Sequence, residues 1–210
     1  MSIYKFLTIA WQKCAGVRDK IAYKGADFAS WKTQEELGFE EKSGNKYQPS
    51  SGIIKKAFKE LNITDNDAVI DIGCGKGAAM YMMSLFPFKK VDGYDLSQEM
   101  VNIANDNFKK LGTADRCHAF RADASQYKDY FSYNYFYAFN PVPEEVFKEL
   151  VANIVNNIND CPRNCTFVYL NPVYDEWIQN NTPFKLASKT KGIVNWNDVY
   201  VYKMNMSPKE

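Results

Sequence analysis

The run Asp71-x-Gly73-x-Gly75-x-Gly77 joins an apolar strand, Val69-Ile70-Asp71-Ile72, to three alternating glycines and then to a helical segment. Glycines at this spacing leave the backbone bare, so a tight turn and the close approach of a ligand are both possible, and the helix start beyond them offers unpaired N–H groups. The chemistry is that of a loop for a nucleotide-type cofactor. Gly73-x-Gly75-x-x-Ala78 also satisfies the dinucleotide fingerprint, with Asp95 at a suitable distance downstream. The two cofactor types differ in charge. A carboxylate at Asp71 suits a cationic amino group and is an unfavourable neighbour for a pyrophosphate.

Holding such groups in place takes strands that end where the loops begin. Residues 78–86 read as a helix and 90–95 as a short strand ending in Asp95. Ser97 is an N-cap for a helix whose apolar positions Met100, Val101, Ala104, Phe108 and Leu111 repeat at helical spacing up to a stop at Gly112. A strand over 118–121 leads into Ala122-Asp123-Ala124, and an aromatic strand over 133–139 ends in Asn140-Pro141-Val142-Pro143 before a helix over 144–157. Residues 165–170 form a fifth buried strand that ends in a second Asn-Pro pair, Asn171-Pro172. Two alternating segments, 184–189 and 199–202, are joined by a loop with Gly192 and Trp196, and an amphipathic helix over 53–61 precedes them all.

In order and spacing, residues 47–171 resemble the class I S-adenosylmethionine-dependent methyltransferases, beginning with the Asp-x-Gly-x-Gly-x-Gly pattern at Asp71. The resemblance implies a doubly wound α/β fold, a seven-stranded, mostly parallel sheet ordered 3-2-1-4-5-7-6 with helices on both faces. It implies S-adenosylmethionine as cofactor, with its amino group near Asp71 and the loop of Gly73, Gly75 and Gly77. By the same resemblance the ribose hydroxyls fall to Asp95 with Leu96 beside it, and the adenine to Asp123 and the backbone of Ala124. Asn140 takes the position at the cofactor mouth, near the transferred methyl group, and is the candidate catalytic residue, with Asn171 and Tyr47 as further candidates. Several amino-directed members carry Asn/Asp-Pro-Pro-aromatic there. Here Val142 replaces the second proline and Pro143 the aromatic, so nitrogen and oxygen acceptors both stay open. The chain is similar over most of its length to a group of small bacterial class I proteins with a related Phe-Asn-Pro segment. Tyr47-Gln48-Pro49 is similar to a Tyr-x-Pro segment of the non-SET histone lysine methyltransferases, which implies a cofactor contact at Tyr47.

A chain of 210 residues with 46% hydrophobic content can bury a full sheet between helices. We expect an N-terminal helix and covering segment over 1–48 and the cofactor-binding domain over 49–210, together one compact unit. Ile3, Phe6, Leu7, Ala10, Trp11 and Cys14 make an apolar helical stripe, broken by Lys5, Gln12 and Lys13 in a way that fails as a signal peptide. It suits a helix packed over the domain, with peripheral membrane contact as the other use, and no segment is long enough to span a bilayer. Lys+Arg 26 against Asp+Glu 25 leaves a net charge of +1, with no general attraction for nucleic acid. Five scattered cysteines and a single histidine match neither a disulfide framework nor a zinc site, and point to a reducing cytoplasm. Methyl transfer from a sulfonium needs no metal. The expected function is methyl transfer to an oxygen or nitrogen of a small molecule, glycan precursor or protein side chain. The alternatives are a non-catalytic S-adenosylmethionine-binding partner or sensor, and an NAD-dependent oxidoreductase.

Overall fold

A computed structural model describes residues 23–28, 52–192 and 197–205. Tyr47, Trp196, the apolar stripe from Ile3 to Cys14 and the boundary expected after residue 48 lie outside them. Among the described residues the first helix, α1 (Ile53–Lys59), precedes β1 (Ala68–Ile72), a central strand whose five residues are all buried. Beyond the glycine loop come α2 (Ala78–Met83), β2 (Lys90–Asp95), α3 (Gln98–Leu111), β3 (Cys117–Arg121) and β4 (Tyr135–Phe139). Then α4 (Glu144–Asp160), β5 (Cys165–Leu170), α5 (Asp175–Asn181), β6 (Lys185–Thr190) and β7 (Val199–Met204) complete the order.

The seven strands form one sheet in the order β3-β2-β1-β4-β5-β7-β6, as expected from the resemblance. β1 to β5 run parallel, and β7 enters antiparallel between β5 and β6, pairing with β5 from Cys165↔Met204 to Leu170↔Val199. Alternation along each strand divides the core in two. Ile70, Ile72, Phe136, Phe167 and Tyr169 pack with Phe147, Leu150 and Ile154 of α4 on one face. Val69, Val91, Tyr137 and Val168 pack with α1, α2 and α3 on the other. β6, at the sheet edge, carries a register shift between Leu186 and Ser188. No helix among the described residues is long and apolar enough to cross a membrane.

Element ends depart from the expected ones where distant side chains intervene. α2 stops at Met83 rather than Phe86, and Arg116 takes up the carbonyls past its end, donating to Ser84 O (2.9 Å) and Phe88 O (3.0 Å). β4 begins at Tyr135, two residues later than its aromatic pattern, because Tyr133 turns its hydroxyl to Asp92 Oδ2 (2.6 Å). There the Asn134 side chain accepts from Ala68 N (3.0 Å) and donates to Asp67 Oδ1 (2.6 Å). α4 runs past Asn157 to Asp160, where Arg163 closes its end, donating to Cys161 O, Tyr130 O, Tyr133 O and Asn157 Oδ1, each at 2.8 Å.

Arg163 therefore satisfies three backbone carbonyls at once. Arg163→Ala leaves them without that partner and is expected to destabilise the chain by about 2–4 kcal/mol. Urea denaturation measures this as a lower midpoint at unchanged slope. Arg163→Lys should recover little, since a point-like ammonium cannot span the same fork. A midpoint within experimental error of the wild type would show that the fork is dispensable.

Candidate functional site

The candidate site lies along the carboxyl ends of β1 to β5, where an open parallel sheet presents its loops. Three left-handed glycines shape the first loop, with φ of 74° at Gly73, 51° at Gly75 and 80° at Gly77. Close packing excludes a side chain at two of them. A Cβ on Gly73 would lie 2.6 Å from Pro141 Cβ, and one on Gly77 would enter the Phe108 ring. Gly73 N and Cys74 N both donate to Tyr94 O (3.0 and 2.9 Å), which ties the loop to β2. Gly93, opposite Asp71 in the sheet register, is a third excluded position: a Cβ there would meet Met80 Sδ at 2.6 Å and Cys74 Cβ at 2.7 Å.

Asp71 is buried and its Oδ2 has no hydrogen-bond partner. Burial first, and then the neighbouring Asp95, push its carboxyl well above the usual range. A buried acceptor left unsatisfied beneath a bare loop is the arrangement a cationic group would relieve. The pH dependence follows. The folded chain holds the Asp71 proton more tightly than the unfolded chain, so the associated stability is complete below the unfolded pKa and is lost as pH rises through the folded one. Asp71→Asn is expected to make the ligand-free chain more stable at neutral pH and to flatten its stability profile. Denaturation midpoints between about pH 4 and pH 8 measure it. A variant that tracks the wild type across that window would refute the burial of a charged Asp71.

Asp95 is only partly exposed at the end of β2, and burial raises its pKa against the opposing pull of backbone N–H groups. Its Oδ2 accepts from Gly75 N (2.9 Å) and its Oδ1 from Ser97 N (2.9 Å). Each carboxylate oxygen can accept more than one hydrogen bond, so capacity remains for two hydroxyl donors. Leu96 is half-buried beside it. Past β3, Asp123 is exposed, and its Oδ1 accepts from Ser125 N (2.9 Å) and Ser125 Oγ (2.8 Å), building the turn that presents buried Ala124.

Asn140 and Asn171 follow β4 and β5 directly, and the pairing Phe139↔Leu170 sets them side by side. Both are left-handed, with φ of 40° and 53°, and both precede proline, which disfavours a helical conformation. Such backbone costs about 1–3 kcal/mol per residue and persists where surrounding contacts impose it. The Asn140 Oδ1 accepts from the Tyr169 hydroxyl across 3.4 Å, and Asn171 N donates to Asp198 O (2.9 Å). Beneath them Phe147 stacks on Tyr169 (5.1 Å) and packs against Tyr174 (4.8 Å). Tyr169 was within reach of sequence reasoning, since alternation along β5 puts it on the face of Phe167. Gly93 carried no such signal.

The structure thus gathers Asp71, the three loop glycines, Asp95 with Leu96, Asp123 with Ala124, Asn140 and Asn171 along one end of the sheet. His118 lies exposed within β3, opposite Asp92 and away from the strand ends. Cys74, Cys117, Cys161 and Cys165 are all free thiols. The unsatisfied Asp71 oxygen and the Gly73 cradle fit a cofactor with a cationic amino-acid end.

A family model described as a methyltransferase domain matches residues 69–160. Solved structures share the fold at low identity. An RNA methyltransferase from Salinibacter ruber in complex with S-adenosyl-L-homocysteine is 14% identical at TM-score 0.56, over 78% of this chain and 97% of that one. An S-adenosylmethionine-dependent O-methyltransferase from Thermotoga maritima is 16% identical at TM-score 0.58, over 79% and 69%. An S-adenosylmethionine-dependent methyltransferase from Aquifex aeolicus is 17% identical at TM-score 0.53, over 71% and 88%. The segment matched by the methyltransferase-domain model takes in Asp71, Asp95, Asp123 and Asn140 alike, and the likeness to the solved structures is one of fold.

Proposed function

We propose that the chain transfers a methyl group to an oxygen or nitrogen of a small molecule, glycan precursor or protein side chain presented at Asn140. The observation that carries this reading is the packing of Pro141 onto Gly73, which sets the strained Asn140 turn directly against the cofactor loop. When bound, S-adenosylmethionine supplies an electrophilic methyl group on a sulfonium centre. The chain's own residues bind and orient. Asp71 faces the ammonium end, Asp95 with Leu96 takes the ribose hydroxyls, and Asp123 with the Ala124 backbone takes the adenine. Asn140 orients the acceptor through its amide, held in turn by the Tyr169 hydroxyl. Catalysis then rests on alignment and on excluding water. The balanced charge of +1 favours a compact acceptor over nucleic acid, and the four free thiols among the described residues suit a reducing cytoplasm.

Parallel calorimetry with S-adenosylmethionine, S-adenosylhomocysteine and NAD tests the reading, followed by release of S-adenosylhomocysteine over a panel of oxygen and nitrogen acceptors. The first two ligands should bind, NAD should not, and at least one acceptor class should give turnover. NAD binding in their place, or binding without turnover on any acceptor, would overturn it.

A further inference from the structure

Lys76 carries the only charge within the loop from Gly73 to Gly77, and its side chain is fully buried. Its Nζ lies 2.7 Å from Asp27 Oδ2, a carboxylate 42% exposed and 49 residues earlier in the chain. The main chain at Asp27 is gripped as well. Its N–H donates to Asn107 Oδ1 (2.8 Å), its carbonyl accepts from Asn107 Nδ2 (3.1 Å), and the same amide nitrogen donates to the Lys76 carbonyl (3.0 Å). Asn107 is completely buried on α3. Rings of Tyr23, Phe28 and Tyr81 pack around this polar knot with centroids 5.5–6.0 Å apart.

A buried lysine is a poor way to gain stability, because a hydrophobic replacement of similar volume would cost no desolvation. Charge pairing instead selects one arrangement over its neighbours. That need exists here, since three left-handed glycines within five residues give the loop conformational freedom that must be restrained from outside. Asp95 holds Gly75 N, the Cys74 carbonyl holds Gly77 N (2.9 Å), and Lys76 between them is held at both its carbonyl and its ammonium.

We propose that Asp27, Lys76 and Asn107 are positioning residues that hold the Gly75–Gly77 backbone in its cofactor-receiving shape, so that docking of segment 23–28 and cofactor binding are coupled. The proposal rests on the reading that this loop receives S-adenosylmethionine. None of the three residues needs to touch the cofactor. The coupling is reciprocal: whatever factor the docked segment adds to cofactor affinity, the cofactor adds to the docking.

Asp27→Asn keeps the shape of a half-exposed side chain and removes the carboxylate charge 2.7 Å from Lys76 Nζ. Calorimetry with S-adenosylhomocysteine should find binding weakened by about tenfold or more, within the usual range of coupling between sites. Asp27→Glu, which retains the charge, should recover most of it. The Asp27→Asn/Lys76→Met chain separates positioning from mere support. Its thermal stability should return, since no buried charge is stranded, while its affinity stays low, because the ammonium–carboxylate tie between the loop and Asp27 is gone. In the unmodified chain, saturating S-adenosylhomocysteine should slow hydrogen exchange at the Asp27 N–H by a factor of the same order as the affinity loss. Affinity that recovers together with stability, wild-type affinity in Asp27→Asn, or unchanged exchange at Asp27 would each overturn the proposal. A wild-type chain that binds neither S-adenosylmethionine nor S-adenosylhomocysteine would instead overturn the functional reading beneath it.

Discussion

Replacing Gly77 by alanine is expected to cost the chain about 2–5 kcal/mol of stability together with most of its cofactor affinity. Two penalties fall on one methyl group. At φ 80° an L-residue pays the left-handed backbone cost, and the new Cβ would enter the Phe108 ring and lie 3.2 Å from Ala104 Cβ. Phe108 is fully buried in the layer shared by α2 and α3, so its ring has nowhere to retreat. The strain would be relieved only by moving Gly77, and Gly77 carries the loop. Gly112→Ala is the control: it has the same hand (φ 70°) but open space around the position, and should show the backbone penalty alone, about 1–2 kcal/mol. Chemical denaturation of both variants, with calorimetry on the folded fraction, measures the difference. Equal destabilisation would mean that the Phe108 contact is soft.

Asp95→Ala carries the second large effect, a loss of about 1.5–3 kcal/mol in binding of S-adenosylmethionine, roughly 10- to 150-fold. The carboxylate offers two oxygens to paired hydroxyls, and the same oxygens hold Gly75 N and Ser97 N. Truncation therefore removes ligand acceptors and loosens the loop at one stroke, which places the expected loss toward the upper end. Asp95→Asn retains an acceptor on one side only and should fall between. Calorimetry on the three proteins gives the ranking. An Asp95→Ala chain that binds with unchanged affinity would remove Asp95 from the ribose role.

Where local rules dominate, the sequence reading and the structure agree. α3 starts at the Ser97 cap, whose Oγ accepts from Met100 N, and ends at left-handed Gly112 as its apolar spacing predicts. β2 and β5 match their expected limits because each is a continuous run bounded by turn residues. The strand order also agrees, and the antiparallel β7 gives the sheet the ending expected of a methyltransferase rather than a dehydrogenase. What escaped detection depends on partners far along the chain. Nothing local to the glycine-rich loop marks Lys76 as buried, because the partners that bury it, Asp27 and Asn107, lie 49 and 31 residues away. Arg163 likewise carries no local signal, yet its fork reaches Tyr130 O and Tyr133 O, 33 and 30 residues earlier, as it closes the end of α4. α5, seven residues without an apolar stripe, gives no periodic signal and depends on Ile178 and Trp177 packing against the α4 face.

The interior placement of β7 has a consequence for assembly. During synthesis the elements that carry the loop glycines and the acidic strand tips, β1 through β5, emerge first and can associate in parallel. One flank of β5 must then wait with its N–H and C=O groups unsatisfied until Val199–Met204 follow and slide in between it and β6. The nascent protein thus exposes a ready template for a foreign strand at the very moment its pocket is taking shape, and the last strand to arrive is the one that seals it.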